Sequence, residues 1–174
     1  MIFIFPIRML ARLVFIVYLM ILIQVPCFSE NKQRMDSLKV LLQKAKHDTI
    51  KLRLYIGLGI ECDLENNLTY AEPAILLANK ILKQTIPEVQ REEVIKYKIT
   101  ALNIKDAFQK SMNKDSYNPF NLINELINFA NELQDTTRLV DFLLRKSTLY
   151  HDSLNLPKAL ETIESALYLA DLSN

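Results

Sequence analysis

Few residues in this chain have the types and the spacing that metal chemistry requires. The two histidines, His47 and His151, lie about a hundred residues apart. No His-x-x-x-His pair, Cys-x-x-Cys pair or acidic loop accompanies them, so the ligand sets of zinc and calcium sites are missing. The sequence therefore predicts no metal site. We expect each histidine to lie at a helix boundary, as a capping or solvent-exposed side chain.

Pairs of glutamates are the next group that could carry chemistry. Glu92 with Glu93, and Glu161 with Glu164, could in principle act as the acid and base of a hydrolase. On amphipathic helices, however, glutamates at these spacings form the face that contacts water. We interpret all four as solvent-facing residues.

The chain contains a glycine pair that resembles part of a nucleotide-binding loop. Gly57 and Gly59 have the spacing of the first two glycines, but Cys62 stands where the third belongs and no strand precedes them. No phosphate loop, nucleophile elbow or Ser/His/Asp ordering is found elsewhere in the sequence. The sequence therefore predicts a protein that is not an enzyme and needs no cofactor.

Composition indicates which elements carry these residues. The chain has 174 residues, with only 2 glycines and 6 prolines among segments rich in Leu, Ile, Ala, Lys, Glu and Asn. Such a chain has enough residues for one domain and too few turn-forming residues for an all-β fold. We predict an all-α protein.

Residues 1–29 differ from the rest and are typical of a secretory signal peptide. Arg8 and Arg12 supply the basic region, Leu13–Val25 the apolar region, and Cys27–Ser29 the cleavage site. Counting the apolar region back to Ile2 would make it long enough to serve as an uncleaved membrane anchor instead. Both alternatives predict an exported domain, residues 30–174, that is periplasmic or anchored to the outer side of the inner membrane.

Export changes the charge and the cysteine content. Removing residues 1–29 takes two arginines from the 21 basic residues and none from the 20 acidic ones, so the net charge changes from +1 to −1. A near-neutral domain has no electrostatic footprint for nucleic acid. Cys62 is left as a single cysteine, which we interpret as a small apolar filler without an intramolecular disulfide.

Apolar periodicity predicts seven helices, one leading helix followed by three antiparallel pairs. Asp48 or Thr49, Asn118 and Asp135 are candidate N-caps, and Pro73 is expected in a first helical turn. The glycines at 57 and 59 predict close approach of neighbouring helices. The predicted helices cover approximately Met35–Lys46, Ile50–Cys62, a segment from Thr69 or Tyr70 to Leu82, Pro87–Met112, Asn118–Gln134, Thr136–Tyr150 and the segment after His151–Asn155.

Two of these helices are variants of one sequence, 36 residues apart. Phe120 matches Leu156, Ile127 matches Ile163, and further apolar and alanine positions match at the same offset. A period of this length indicates a helical repeat array. Such arrays build surfaces that hold other proteins and seldom carry chemistry.

The last pair of helices resembles a tetratricopeptide (TPR) repeat. The resemblance implies antiparallel helix pairs stacked as a right-handed solenoid, with small residues where helices touch and large residues between them. It also implies a protein or peptide partner, held by a preformed groove. The matching residues are Leu143, Ser147, Tyr150, Ala159, Ile163 and Ala166.

The segment Asp36–Thr49, after a signal peptide, resembles the start of exported TPR regions in bacterial membrane sensor proteins. This resemblance implies an extracytoplasmic input module for signal transduction. The alternatives are an exported scaffold that self-associates and a truncated remnant of a TPR sensor kinase.

Two surfaces are candidates for binding. Asn124, Asn128 and Asn131 form one stripe, which is either a solvent face or the lining of a peptide groove. The final helix keeps a second, apolar stripe with no following segment to cover it, which indicates truncation, self-association or a partner. Its members are Leu160, Ile163, Leu167 and Tyr168.

Overall fold

The computed structural model describes residues 31–112 and 117–172, and these residues form seven helices and no strand. The all-α prediction is therefore confirmed for this part of the chain, whereas the predicted signal or anchor segment, residues 1–29, lies outside it. The helices are residues 31–44 (α1), Asp48–Glu61 (α2), Leu68–Leu82 (α3), Glu88–Ser111 (α4), Pro119–Glu132 (α5), Thr136–Asp152 (α6) and Leu156–Leu172 (α7).

Two of the three predicted N-caps are present. The side-chain oxygen of Asn118 accepts a hydrogen bond from the Phe120 amide at 3.0 Å, with Pro119 at the first helical position. Asp135 accepts from the Arg138 amide at 3.0 Å and caps α6 in the same way. Each bond satisfies one of the amides that a helix start leaves without an intrahelical partner.

The predicted cap of α2 is wrong. The helix begins at Asp48, two residues before the predicted Ile50, so His47 occupies the N-cap position and makes no side-chain capping bond. Asp48 lies in the first turn, where the positive end of the helix dipole favours a carboxylate. Its carboxylate accepts from Lys80 Nζ on α3 at 2.7 Å, so this residue links two helices instead of capping one.

The expectation for Pro73 is also wrong. Helix α3 begins at Leu68, which places the proline inside the helix rather than in its first turn. Proline has no amide hydrogen, so the carbonyl four residues earlier, of Thr69, loses its helical donor. Thr69 is exposed, and water can supply the missing hydrogen bond.

Two apolar clusters make up the core, and α4 takes part in both. The first joins α4 to α2 and α3, and the second joins α4 to α5 and α6. Burying apolar side chains on two sides fixes α4 as the central helix of the described region. The first cluster contains Leu52, Ile56, Ala74, Ala78, Ile81, Val94 and Ala101, and the second contains Ile95, Ile99, Leu102, Ile123, Leu126, Ala130 and Phe142.

The two glycines of α2 differ in how closely a neighbouring helix approaches them. A Cβ added at Gly59 would lie 3.1 Å from Ile104 Cδ1 of α4 and 3.7 Å from Tyr70 Cβ of α3. A Cβ added at Gly57 would lie 3.5 Å from Leu38 Cδ1 of α1, which is ordinary contact distance. Close approach is therefore required at Gly59, and Gly57 lies under the helix that precedes α2.

Candidate interaction surface

The last two helices pack through small side chains. Ser147 on α6 is buried, as are Ala159 and Ala166 on α7. The Ser147 hydroxyl donates to the Leu144 carbonyl at 2.7 Å, so its polar atom is satisfied within its own helix. Three of the six residues that carry the TPR resemblance are therefore the small, buried ones, as helices in close contact require.

The larger residues of that pattern lie at the edges of this contact. Leu143 and Tyr150 on α6 are half-buried, and Ile163 on α7 is 36% exposed. The Tyr150 ring lies 4.9 Å from the Phe120 ring of α5, centroid to centroid. Lys158 Nζ of α7 lies 5.6 Å from the same tyrosine ring, a cation–π distance. Tyr150 therefore links α5, α6 and α7.

One face of α7 is apolar and exposed among the residues that the structure describes. Leu156, Leu160, Ile163 and Leu167 are 58%, 59%, 36% and 57% exposed, respectively. Their spacing of four, three and four residues places them in one row along about three helical turns. We call these four residues the α7 row. Tyr168 and Leu172 are also exposed, farther round the same helix.

The charges on α7 are distributed unevenly around this row. Glu164 lies four residues after Leu160 and three before Leu167, so it borders the row, and Asp171 lies on the same side, four residues after Leu167. Lys158, the single basic residue of α7, points instead towards Tyr150 of α6. The exposed border of the α7 row is therefore acidic.

Helix α5, against which α6 packs, has different residues at the positions equivalent to the α7 row. At the 36-residue offset, the α7 row corresponds to Phe120, Asn124, Ile127 and Asn131 of α5. Phe120, whose ring contacts Tyr150 of α6, and Ile127, which packs against the second core cluster, are half-buried, whereas the two asparagines remain exposed. At the two exposed positions of this row, α5 therefore has asparagine and α7 has leucine.

The predicted asparagine stripe lies on this same side of α5. Asn124, Asn128 and Asn131 are all exposed, and they follow one another at four and three residues. The structure thus brings them together on one open face. Their role as the lining of a peptide groove remains a prediction.

A buried carboxylate between α4 and α6 was not found by sequence analysis. Asp106 is 5% exposed and accepts from Lys110 Nζ and from Arg145 Nη2, each at 2.8 Å. It also accepts a short hydrogen bond from the Tyr117 hydroxyl, and Arg145 donates in addition to Asn103 at 2.9 Å. These bonds join α4 to α6 and to the segment before α5.

The surroundings of Asp106 perturb its aromatic neighbour. Burial, and then the hydrogen bond to the Asp106 carboxylate, raise the pKa of Tyr117 well above its ordinary value of 10.0. A cleft of about 200 Å³ opens beside this cluster, and it is lined by Asp106, Lys110, Pro119, Leu122, Ile123, Arg145, Thr148, Leu149 and Asp152. Because every polar group of the cluster already has a partner, we interpret the cluster as a structural link.

The remaining chemistry-bearing residues are isolated from one another. Burial raises the pKa of the Cys62 thiol, and its Sγ lies 3.7 Å from the Gly59 carbonyl, so a reactive thiolate is disfavoured. His47 and His151 are exposed. Asn67, which opens a glycosylation-like triplet, is only 6% exposed.

Within residues 31–112 and 117–172, no group of three or more His, Cys, Asp or Glu side chains could hold a metal ion. Nor does this part contain a helix long and apolar enough to span a bilayer.

The described residues thus define an all-α protein of packed helices whose most distinctive surface is the α7 row. In comparisons with protein-family models, curated proteins and solved structures, the chain matches none at a significant level.

Proposed function

We propose that this protein is a non-catalytic protein-interaction module, built as a TPR-like array of antiparallel helix pairs, and that the α7 row is its principal binding surface. The observation that carries the proposal is the exposure of four large apolar side chains in one row on α7. Apolar surface of this kind in an exported or soluble domain marks a site where another molecule binds.

The packing of the helices supports the repeat architecture. Each helix from α2 to α7 packs against the next one along the chain, and α2 also packs against α4. Small residues lie at the α6–α7 contact, in the positions that the TPR resemblance assigns to them. Packing between consecutive helices, with small residues at one of the contacts, supports a solenoid of helix pairs as the proposed architecture.

The chemical residues favour binding over catalysis. Cys62 is disfavoured as a thiolate, and the Asp106 carboxylate is saturated by three donors. The best supported setting is extracytoplasmic, because residues 1–29 have the sequence of a signal peptide or anchor. By its resemblance to exported sensor regions, the module would serve as the input part of a signal-transduction protein.

The test is whether a helix binds at the α7 row. Designed amphipathic helical peptides with leucines spaced alternately at three and four residues would be titrated against the chain by fluorescence anisotropy. We expect binding that disappears in the double variant Leu160→Gln, Leu167→Gln. The matched control is Leu76→Gln, because Leu76 is a leucine on α3 that is even more exposed, at 70%.

Two outcomes would count against this function. If no peptide binds, or if the control variant loses binding as well, the α7 row is not a specific surface. If the chain itself forms oligomers that the double variant abolishes, the alternative, an exported scaffold that self-associates through its last helix, replaces the proposal.

A further inference from the structure

We infer that the partner held by the α7 row is an amphipathic helix with lysine or arginine beside its own apolar row. This inference rests on the proposed binding function and specifies the chemistry of the partner. Three observations carry it: the spacing of the α7 row, the leucines that replace asparagines at Leu160 and Leu167, and the acidic border.

The spacing of the α7 row selects a helix as the partner. Residues Leu156 to Leu167 alternate steps of four and three, the pattern that keeps one side of a helix against another helix in a left-handed pair. The row extends about 16 Å along the helix at 1.5 Å per residue. A partner helix of two to three heptads would cover the row completely.

A further helix pair of the same repeat would not cover the row. In α5, the two positions equivalent to Leu160 and Leu167 are Asn124 and Asn131. Both asparagines stay exposed, although α6 follows α5 and packs against it. If a further helix pair packed against α7 as α6 packs against α5, the leucines at these positions would therefore remain exposed to solvent. Burying them requires an additional helix lying along the row.

The charge beside the row selects a basic partner. Glu164 and Asp171 border the exposed side of the row, and both are exposed to solvent. Lys158, the one cation of α7, lies near the Tyr150 ring and does not neutralise them. A second α7 helix, or any partner with an acidic border, would bring like charges together, whereas lysine or arginine on the partner would pair with them.

The experiment compares two peptides that differ only in charge. Both have leucine at the a and d positions of three heptads; one has lysine at e and g, the other glutamate. Each is labelled, used at a concentration where it is monomeric, and titrated against the full chain at low and high salt. We expect the lysine peptide to bind about tenfold more tightly at low salt, with the ratio falling as salt screens the charges.

Variants of the protein separate the apolar and charged contributions. The double variant Leu160→Gln, Leu167→Gln keeps every acidic residue and should lose binding of both peptides. The double variant Glu164→Gln, Asp171→Asn keeps the leucines and should bind the two peptides equally. Circular dichroism checks that each variant retains the helical content of the parent.

The outcomes that would overturn the inference differ from those that would overturn the function. Equal binding of the two peptides at the α7 row contradicts the basic partner and leaves the binding function intact. Lysine-peptide binding that survives loss of the leucines contradicts the inference as well, because only charge would then be responsible. If neither peptide binds, the proposed function itself fails.

Discussion

Replacing Asp106 with asparagine tests whether the buried carboxylate holds α4 and α6 together. Asp106→Asn keeps the shape of the side chain and removes its charge, so Arg145 and Lys110 lose their ionic partner. A hydrogen bond to a charged group contributes about 1.5–3 kcal/mol when it is buried. The Arg145 side chain is 31% exposed and that of Lys110 is 54% exposed, so both fall below that range.

We therefore expect the Arg145 bond to contribute a little under about 1.5 kcal/mol and the more exposed Lys110 bond about 0.5 kcal/mol. The free energy of unfolding of Asp106→Asn should fall by about 2 kcal/mol, measured by urea denaturation followed by circular dichroism. The matched control is Asp141→Asn, since Asp141 is an exposed aspartate on α6. It should change the stability by less than about 0.5 kcal/mol.

A double-mutant cycle isolates the link between the two helices. Arg145→Met removes the guanidinium and keeps most of the aliphatic stem, and the double variant with Asp106→Asn completes the cycle. We expect a coupling energy of about 1 kcal/mol, because the two residues share a 2.8 Å contact. Purely additive effects, or an Asp106→Asn variant as stable as the parent, would show that the cluster does not fix the position of α6.

Three further predictions concern stability. Gly57→Ala should raise the free energy of unfolding by about 0.5–1 kcal/mol. Gly59→Ala should raise it by less than half as much, because the added Cβ would lie 3.1 Å from Ile104 Cδ1. Thermal denaturation of the pair checks this, and equal gains would contradict the close approach at residue 59. Leu154→Gly should stabilise the chain by about 1 kcal/mol in urea, because Leu154 has a φ of 60° and is 86% exposed; a loss of stability would contradict it. Because the pKa of Tyr117 is raised, the folded chain keeps a proton that the unfolded chain releases above about pH 10. The free energy of unfolding should therefore fall as the pH rises past this value. In the Tyr117→Phe variant, the midpoint of urea denaturation should depend less steeply on pH. An unchanged slope would show that Tyr117 is not the group responsible.

The helices and three of the four residues of the α7 row could be predicted because they depend on local spacing. The predicted stripe lacked Leu156 and included Tyr168, which lies farther round the helix. Helix α7 has two apolar stripes. One packs against α6, and the other, which contains Leu160 and Leu167, stays exposed. Asn118 and Asp135 could be identified as caps because a cap depends on the residues immediately after it. Local patterns of this kind survive whatever the tertiary arrangement is.

Features that depend on distant residues could not be predicted in this way. Lys98 of α4 is buried, with its Nζ 2.8 Å from Glu125 and 4.6 Å from the Phe129 ring centroid. Asp106 is similar, because its partner Arg145 lies 39 residues away. Charged residues are expected outside unless a partner is known, and a single sequence does not reveal the partner.

Helix α7 is attached to the rest of the protein in an unusual way. Among the helices from α2 to α7, it packs against α6 alone, and it contributes no residue to either of the two described core clusters. Opening of α7 therefore exposes little of the core and should require less free energy than opening of α4. A helix bound along the α7 row would suppress this opening, so slower amide hydrogen exchange confined to α7 would report occupancy of the site before any partner is identified.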